Sequence, residues 1–149
     1  MERMGFEWLV GSVLVVFLFS GCGGTRPPNL GVKENRLSPC PSSPNCVSSQ
    51  IDDEKHRIDP LPFTSTPAEG MARLKKVVQG KERTTVVRET PDYLHAEFRT
   101  FLGFVDDVEF HADESQKVIH MRSASRLGYW DLGVNRRRME SIRAEFKKK

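Results

Sequence analysis

The stretch "RSASRLGYWDLGVNRRR", Arg122 to Arg138, gathers five arginines around one aspartate, one asparagine and two glycines. Guanidinium groups at that density do one of two things. They hold an anion through paired hydrogen bonds, or carboxylates of the chain itself consume them in a structural corner. The stretch ends a β-rich run and opens a helix, and a helix start adds free N–H groups and a positive dipole end. Arg122, Arg126, Arg136 and Asn135 are therefore candidates for a carboxylate or phosphate site. Asn135 is also the expected N-cap of the helix. Asp131 competes for the same cations: paired with Arg126 or Arg136, with Gly128 and Gly133 allowing a tight path, it makes a structural corner and leaves a residual positive site.

A second group of chemical side chains appears once strand alternation is laid over residues 84–125. Tyr93, His95, Glu97 and Arg99 share one face of a run in which Leu94, Ala96 and Phe98 share the other. Asp107, Glu109 and His111 alternate with Val108 and Phe110, and His120 and Arg122 with Ile119 and Met121. Imidazoles and carboxylates on one sheet face suit acid–base chemistry or a metal held by His95, His111 and His120. The plainer alternative is a solvated face with cross-strand ion pairs. There is no H-E-x-x-H, no nucleophile motif and no glycine-rich phosphate loop. No catalytic residue is assigned, no cofactor is implied, and an enzyme remains the rival to a binding or structural module.

Local signals mark the helices and strands that carry these groups. Thr66, Pro67 and Glu69 read as a capping box with proline at the first helical position. Ala68, Met71, Leu74 and Val78 form the apolar face, and Gly80 is the stop. Four strand-like runs follow with short connections, then a helix over about residues 135–146 with Met139, Ile142 and Phe146 inward. The expected fold is α+β, a two-layer sandwich in which a four-stranded antiparallel meander has a helix before and a helix after it (α-β-β-β-β-α). A two-residue loop at Glu114-Ser115 would set Asp107 opposite Arg122, Glu109 opposite His120, Val108 opposite Met121 and Phe110 opposite Ile119, which keeps both faces consistent.

The N-terminal segment reads as an export signal. Leu9 to Phe19 is an apolar run of about 11 residues, right for a signal peptide and short of a membrane span. Ser20, Gly21 and Cys22 follow in the manner of a bacterial lipobox, with Cys22 the acylated residue. Residues 1–21 are then the signal peptide, 22–36 a tether without hydrophobic period, and 37–149 a single domain with a Pro/Ser-rich loop over 37–62 and a core over 63–149. Export puts Cys40 and Cys46 in an oxidising compartment, where a disulfide closing that short loop persists. Gly23 after the lipidated cysteine resembles outer-membrane sorting, so the expected location is the envelope, facing the periplasm. The net charge of +3 over 149 residues is too small to suggest nucleic acid.

The segments "PCPSSPNCVSS", "FRTFLGFVDDVEF" and "VIHMRSASRLGYWDLGVNRRRMESIR" resemble the bacterial and plastid family catalogued as domain of unknown function 1499, over about residues 37–143. The resemblance implies no reaction. It marks Cys40, Cys46, Asp106, Asp107, Arg122, Ser123, Ser125, Arg126, Gly128, Asp131, Gly133, Asn135 and Arg138 as the family's characteristic positions. The expectation is a lipid-anchored envelope protein that holds a small anionic ligand or an envelope partner.

Overall fold

The computed structural model describes residues 23–148. The expected signal peptide and Cys22 lie outside them. In chain order the elements are β1 (Val32–Lys33), β2 (Arg36–Leu37), β3 (Cys46–Ser48), β4 (Leu61–Pro62), α1 (Pro67–Gln79), β5 (Thr84–Glu89), β6 (Tyr93–Arg99), β7 (Val105–Asp113), β8 (Val118–Ser125) and α2 (Val134–Lys148).

The helix signals act as read. The Thr66 hydroxyl accepts from the Glu69 N–H, and the Glu69 carboxylate accepts from the Thr66 N–H. Gly70, Met71, Leu74, Val77 and Val78 are the buried face of α1, so Ala68 is outside it and the stripe is shifted by part of a turn. Met139, Ile142 and Phe146 of α2 are fully enclosed. Both helices cover the sheet face that carries Leu94, Ala96, Val108, Phe110, Ile119 and Met121.

The expected meander is present as β5-β6-β7-β8, all antiparallel, but it is part of a six-stranded sheet. The outer edge of β8 takes β3 at one end and β4 at the other. A bare β8 edge would leave a row of unpaired peptide groups. The polar segment before α1 fills it, burying Val47 and Leu61 as it does so.

The β7–β8 register differs by two residues from expectation. Glu109 faces Arg122, Phe110 faces Met121, His111 faces His120 and Asp107 faces Ala124. The connection is a four-residue turn over 114–117, because the Asp113 carboxylate collects the N–H groups of Ser115 and Gln116 and the Ser115 hydroxyl. A shift of two keeps every side chain on its face, which is why alternation could not detect it.

Residues 23–37 are not a free tether. They lie across the sheet face opposite the helices, with β1 and β2 joined by a tight turn at Glu34 and Asn35, both at positive φ. The Gly31 N–H donates to Glu109 at 2.7 Å, Asn35 bridges Asp113 and His111, and Arg26 reaches Glu97. The polar sheet face is thus covered, not solvated: Glu109 has no accessible surface. Among the described residues, no helix is long and apolar enough to cross a membrane.

Candidate functional site

Asp106 and Asp107 are neighbours on β7, so strand geometry sends their side chains to opposite faces. Around them the chain builds one polar corner on two sides of the sheet.

On the helix side, Asp106 accepts from Arg138 Nη2 at 2.5 Å. Arg138 Nη1 also donates to Asn135 Oδ1 at 2.7 Å, and its guanidinium lies 4.9 Å from the Phe98 ring centre. Asn135 is fully buried. Its amide nitrogen donates to the Asn45 carbonyl and the Ser125 hydroxyl, each at 3.0 Å, while its carbonyl oxygen accepts from Ser123. Asn45 in turn donates to the Gly128 carbonyl at 2.6 Å. The Cys40–Cys46 disulfide is formed, and it closes the loop that presents Asn45.

On the other side, Asp107, 1% exposed, takes a bidentate pair from Arg126 Nε and Nη2 at 2.7 Å and a hydrogen bond from His95 Nε2 at 2.8 Å. Burial alone would push this carboxyl up; the hydrogen bonds from Arg126 and His95 outweigh it and bring the pKa from 3.8 to about 2. Arg126 Nη2 also reaches Glu97 at 2.5 Å. One row along the sheet, Glu109 accepts from Arg122 Nη1 at 3.1 Å and from the Tyr93 hydroxyl at 2.8 Å. Burial, then the Glu109 charge, pushes the Tyr93 phenol far up, so it stays a donor.

The sequence expectations therefore sort as follows. Arg122 and Arg126 are both engaged by sheet carboxylates, Glu109 for Arg122 and Asp107 with Glu97 for Arg126. Arg136 donates to the carbonyls of Arg57 and Lys55, pinning the loop before β4. Among the described residues, Asp131 pairs with no arginine. Its carboxylate accepts from the N–H groups of Gly133 and Asn135, at 3.0 and 2.8 Å, so Asp131 caps α2 in place of Asn135. The reason is the local path: Leu132 and Gly133 both have positive φ, which folds the Asp131 side chain back over the helix start. Gly128 is likewise at positive φ and turns the chain where its carbonyl meets Asn45.

The three histidines do not share a cleft. His111 and His120 face each other across β7 and β8, while His95 is tied to Asp107. Burial lowers the pKa of His120, and its Nε2 has no hydrogen-bond partner among the described residues, with Asp113 3.9 Å away. Among the described residues, no group of three or more His, Cys, Asp or Glu is arranged to hold a metal.

Sequence reasoning placed Tyr93 on the polar face without its bond to Glu109; it missed Asn45 and Arg26 as members of these networks and the apolar rim beside them. The β6–β7 loop exposes Phe101 and Leu102; the β8–α2 loop exposes Leu127, Tyr129, Trp130 and Leu132. Together the two loops line an open groove of about 350 Å³.

The family model described as a protein of unknown function (DUF1499) matches residues 36–146, and the chain belongs to that family. No curated protein matches the chain.

Proposed function

We propose that this chain is a lipid-anchored protein of the bacterial cell envelope, acylated at Cys22, whose domain is a binding or structural module facing the periplasm, on the outer membrane in a diderm host. The observation that carries the reading is the self-neutralised corner. Asp106, Asp107 and Glu109 each meet a guanidinium of the same chain, and residues 23–37 lie over the sheet face that holds two of the three. An acid–base or metal centre needs groups open to a substrate. A small anion at Arg126 would have to displace Asp107 and Glu97. An envelope partner has no such requirement, and the exposed rim offers it a surface. The lipobox at Ser20-Gly21-Cys22 and the Cys40–Cys46 disulfide support export to an oxidising compartment.

The test is made on protein purified from the envelope. Its intact mass should carry acyl chains on Cys22, Cys22→Ser should remain unprocessed, and inorganic phosphate should not raise the thermal midpoint. Normal acylation of Cys22→Ser would overturn the anchor. A phosphate-dependent stabilisation lost in Arg126→Ala would restore the anion site.

A further inference from the structure

Among the described residues, seven of the eight exposed large apolar side chains stand in two loops at one end of the sheet; Val32 is the eighth. Phe101 is 88% exposed and Trp130 70%. A folded domain does not present this much contiguous hydrocarbon without something to receive it. Leu132 adds a second sign. It is exposed and held at φ +54°, a conformation that a leucine adopts at a cost when glycine or asparagine would turn the chain freely.

Among the described residues, two unpaired cations border the rim, and the acids near it are already engaged by the chain: Glu82 by Arg83, Asp106 by Arg138 and Asp131 by the start of α2. Arg99 donates to the Gly103 carbonyl at 3.1 Å, and Arg137 donates to the Leu132 carbonyl at 2.8 Å. Each guanidinium sits at the foot of one loop, and neither is paired with a carboxylate among the described residues. Residues 100–104 contain no acidic side chain, and the single acid of the other loop, Asp131, borders the groove with its carboxylate engaged by the first N–H groups of α2. Aromatic and leucine tips above a basic base match the two zones of a membrane interface, acyl chains inward and phosphates outward.

The N-terminal path says which surface the rim meets. Gly24, at φ +66°, lies so close to the loop that a Cβ there would come within 3.0 Å of Leu127 and 3.1 Å of Arg126. Cys22 is two residues earlier, so an extended chain puts it within about 7 Å of Gly24. The membrane anchor and the rim therefore leave the domain at the same place.

We infer that the rim formed by Phe101, Leu102, Leu127, Tyr129, Trp130 and Leu132 docks into the lipid surface that holds the chain's own anchor, with Arg99 and Arg137 at the phosphate level. The inference rests on the anchoring reading above. It gives the domain a fixed orientation, with the rim down and the opposite end of the sheet, at the Glu114–Lys117 turn, pointing away from the membrane.

Trp130 is a built-in reporter, because the sequence has two tryptophans and the other is Trp8. The acylated protein, produced from a chain carrying Trp8→Phe so that any unprocessed precursor is silent too, is reconstituted in phosphatidylethanolamine/phosphatidylglycerol vesicles with brominated acyl chains. Tips that insert about 5–10 Å reach the brominated region, so Trp130 should lose half or more of its emission and resist acrylamide. A second chain, Trp8→Phe/Trp130→Phe/Phe101→Trp, moves the reporter to the other loop and should be quenched as well. Replacing both Arg99 and Arg137 with Gln should reduce the quenching at either position. Flotation and intact mass on the same samples separate the two ideas. Protein that floats but whose reporters stay open to acrylamide and blind to bromine overturns the docking and leaves the anchor standing. Reporters shielded from both quenchers mark a protein occupant and also overturn it. Protein that neither floats nor carries acyl chains overturns the anchor and the docking with it.

Discussion

Where β8 runs into α2, charge is buried and hydrocarbon is exposed. Asp107 is almost inaccessible, and a few residues beyond its partner Arg126 the chain presents Tyr129 and Trp130 to solvent. Elementary hydration would arrange the two the other way round. The corner tolerates burial because each charge finds an opposite charge with fitting hydrogen-bond geometry, so desolvation is offset within the chain. The rim has no such internal compensation. An inversion that the chain resolves by itself points to architecture; one that it leaves unresolved points outward, to whatever the surface meets.

The largest effect that would break this contrast lies in the corner. Arg126→Ala removes the bidentate partner of Asp107 and one partner of Glu97, and should cost about 3–5 kcal/mol. Denaturant unfolding measures it, and a cost below about 1 kcal/mol would mean that the corner is not a support. Arg138→Ala should behave alike on the helix side, through Asp106 and Asn135.

Next comes the loop that presents Asn45 to the corner. Replacing Cys40 and Cys46 together by serine should cost about 2 kcal/mol, modest because the closed loop is short. Reduction of the parent protein should reproduce that loss in the same unfolding experiment.

Asp131 is expected to matter less than a corner charge. As a helix cap and not the partner of an arginine, it should cost about 1 kcal/mol when changed to alanine. A loss as large as that of Arg126→Ala would reinstate an ion pair for Asp131.

The pH dependence sharpens the same contrast. Asp107 has its pKa depressed from 3.8 to about 2, so its contribution is present above about pH 4 and is lost as pH falls through that window. The unfolding curves of the parent and of Asp107→Asn should draw together as pH approaches 2. His120 acts earlier. Burial holds its pKa below 6.5, so stability from keeping it neutral is complete above that pH and declines below it. His120→Gln should flatten that part of the profile.

How much of this was legible depends on what kind of signal each residue sends. The capping box at Thr66 and Glu69, the stripe of Met139, Ile142 and Phe146, and the four strand runs are periodic or local signals, and they locate their elements closely. The disulfide was legible because Cys40 and Cys46 are near in sequence. The register was not, because a two-residue shift leaves alternation unchanged and the turn is decided by the Asp113 carboxylate. The cover over the polar face was invisible for a different reason. Residues 23–37 bind it through the Gly31 backbone and the Asn35 and Arg26 side chains, and a polar contact of that kind imposes no hydrophobic period. The pairing of the arginines needed long-range information too: Glu97 and Asp107 reach Arg126 from strands far earlier in the chain.

The smallest expected effect is at the rim, where Trp130→Ser should shift stability by no more than about 0.5 kcal/mol. Setting it beside Asp107→Asn in the full chain at pH 7 is the most direct trial of the division between a supporting corner and an outward rim. The measurement is the thermal midpoint of each against the parent. Asp107→Asn should fall by about 10 °C, as loss of a buried ion-pair partner in a domain of this size implies, and Trp130→Ser by about 2 °C or less. An Asp107→Asn midpoint at or above the parent's, or falls of equal size in the two variants, would contradict the account.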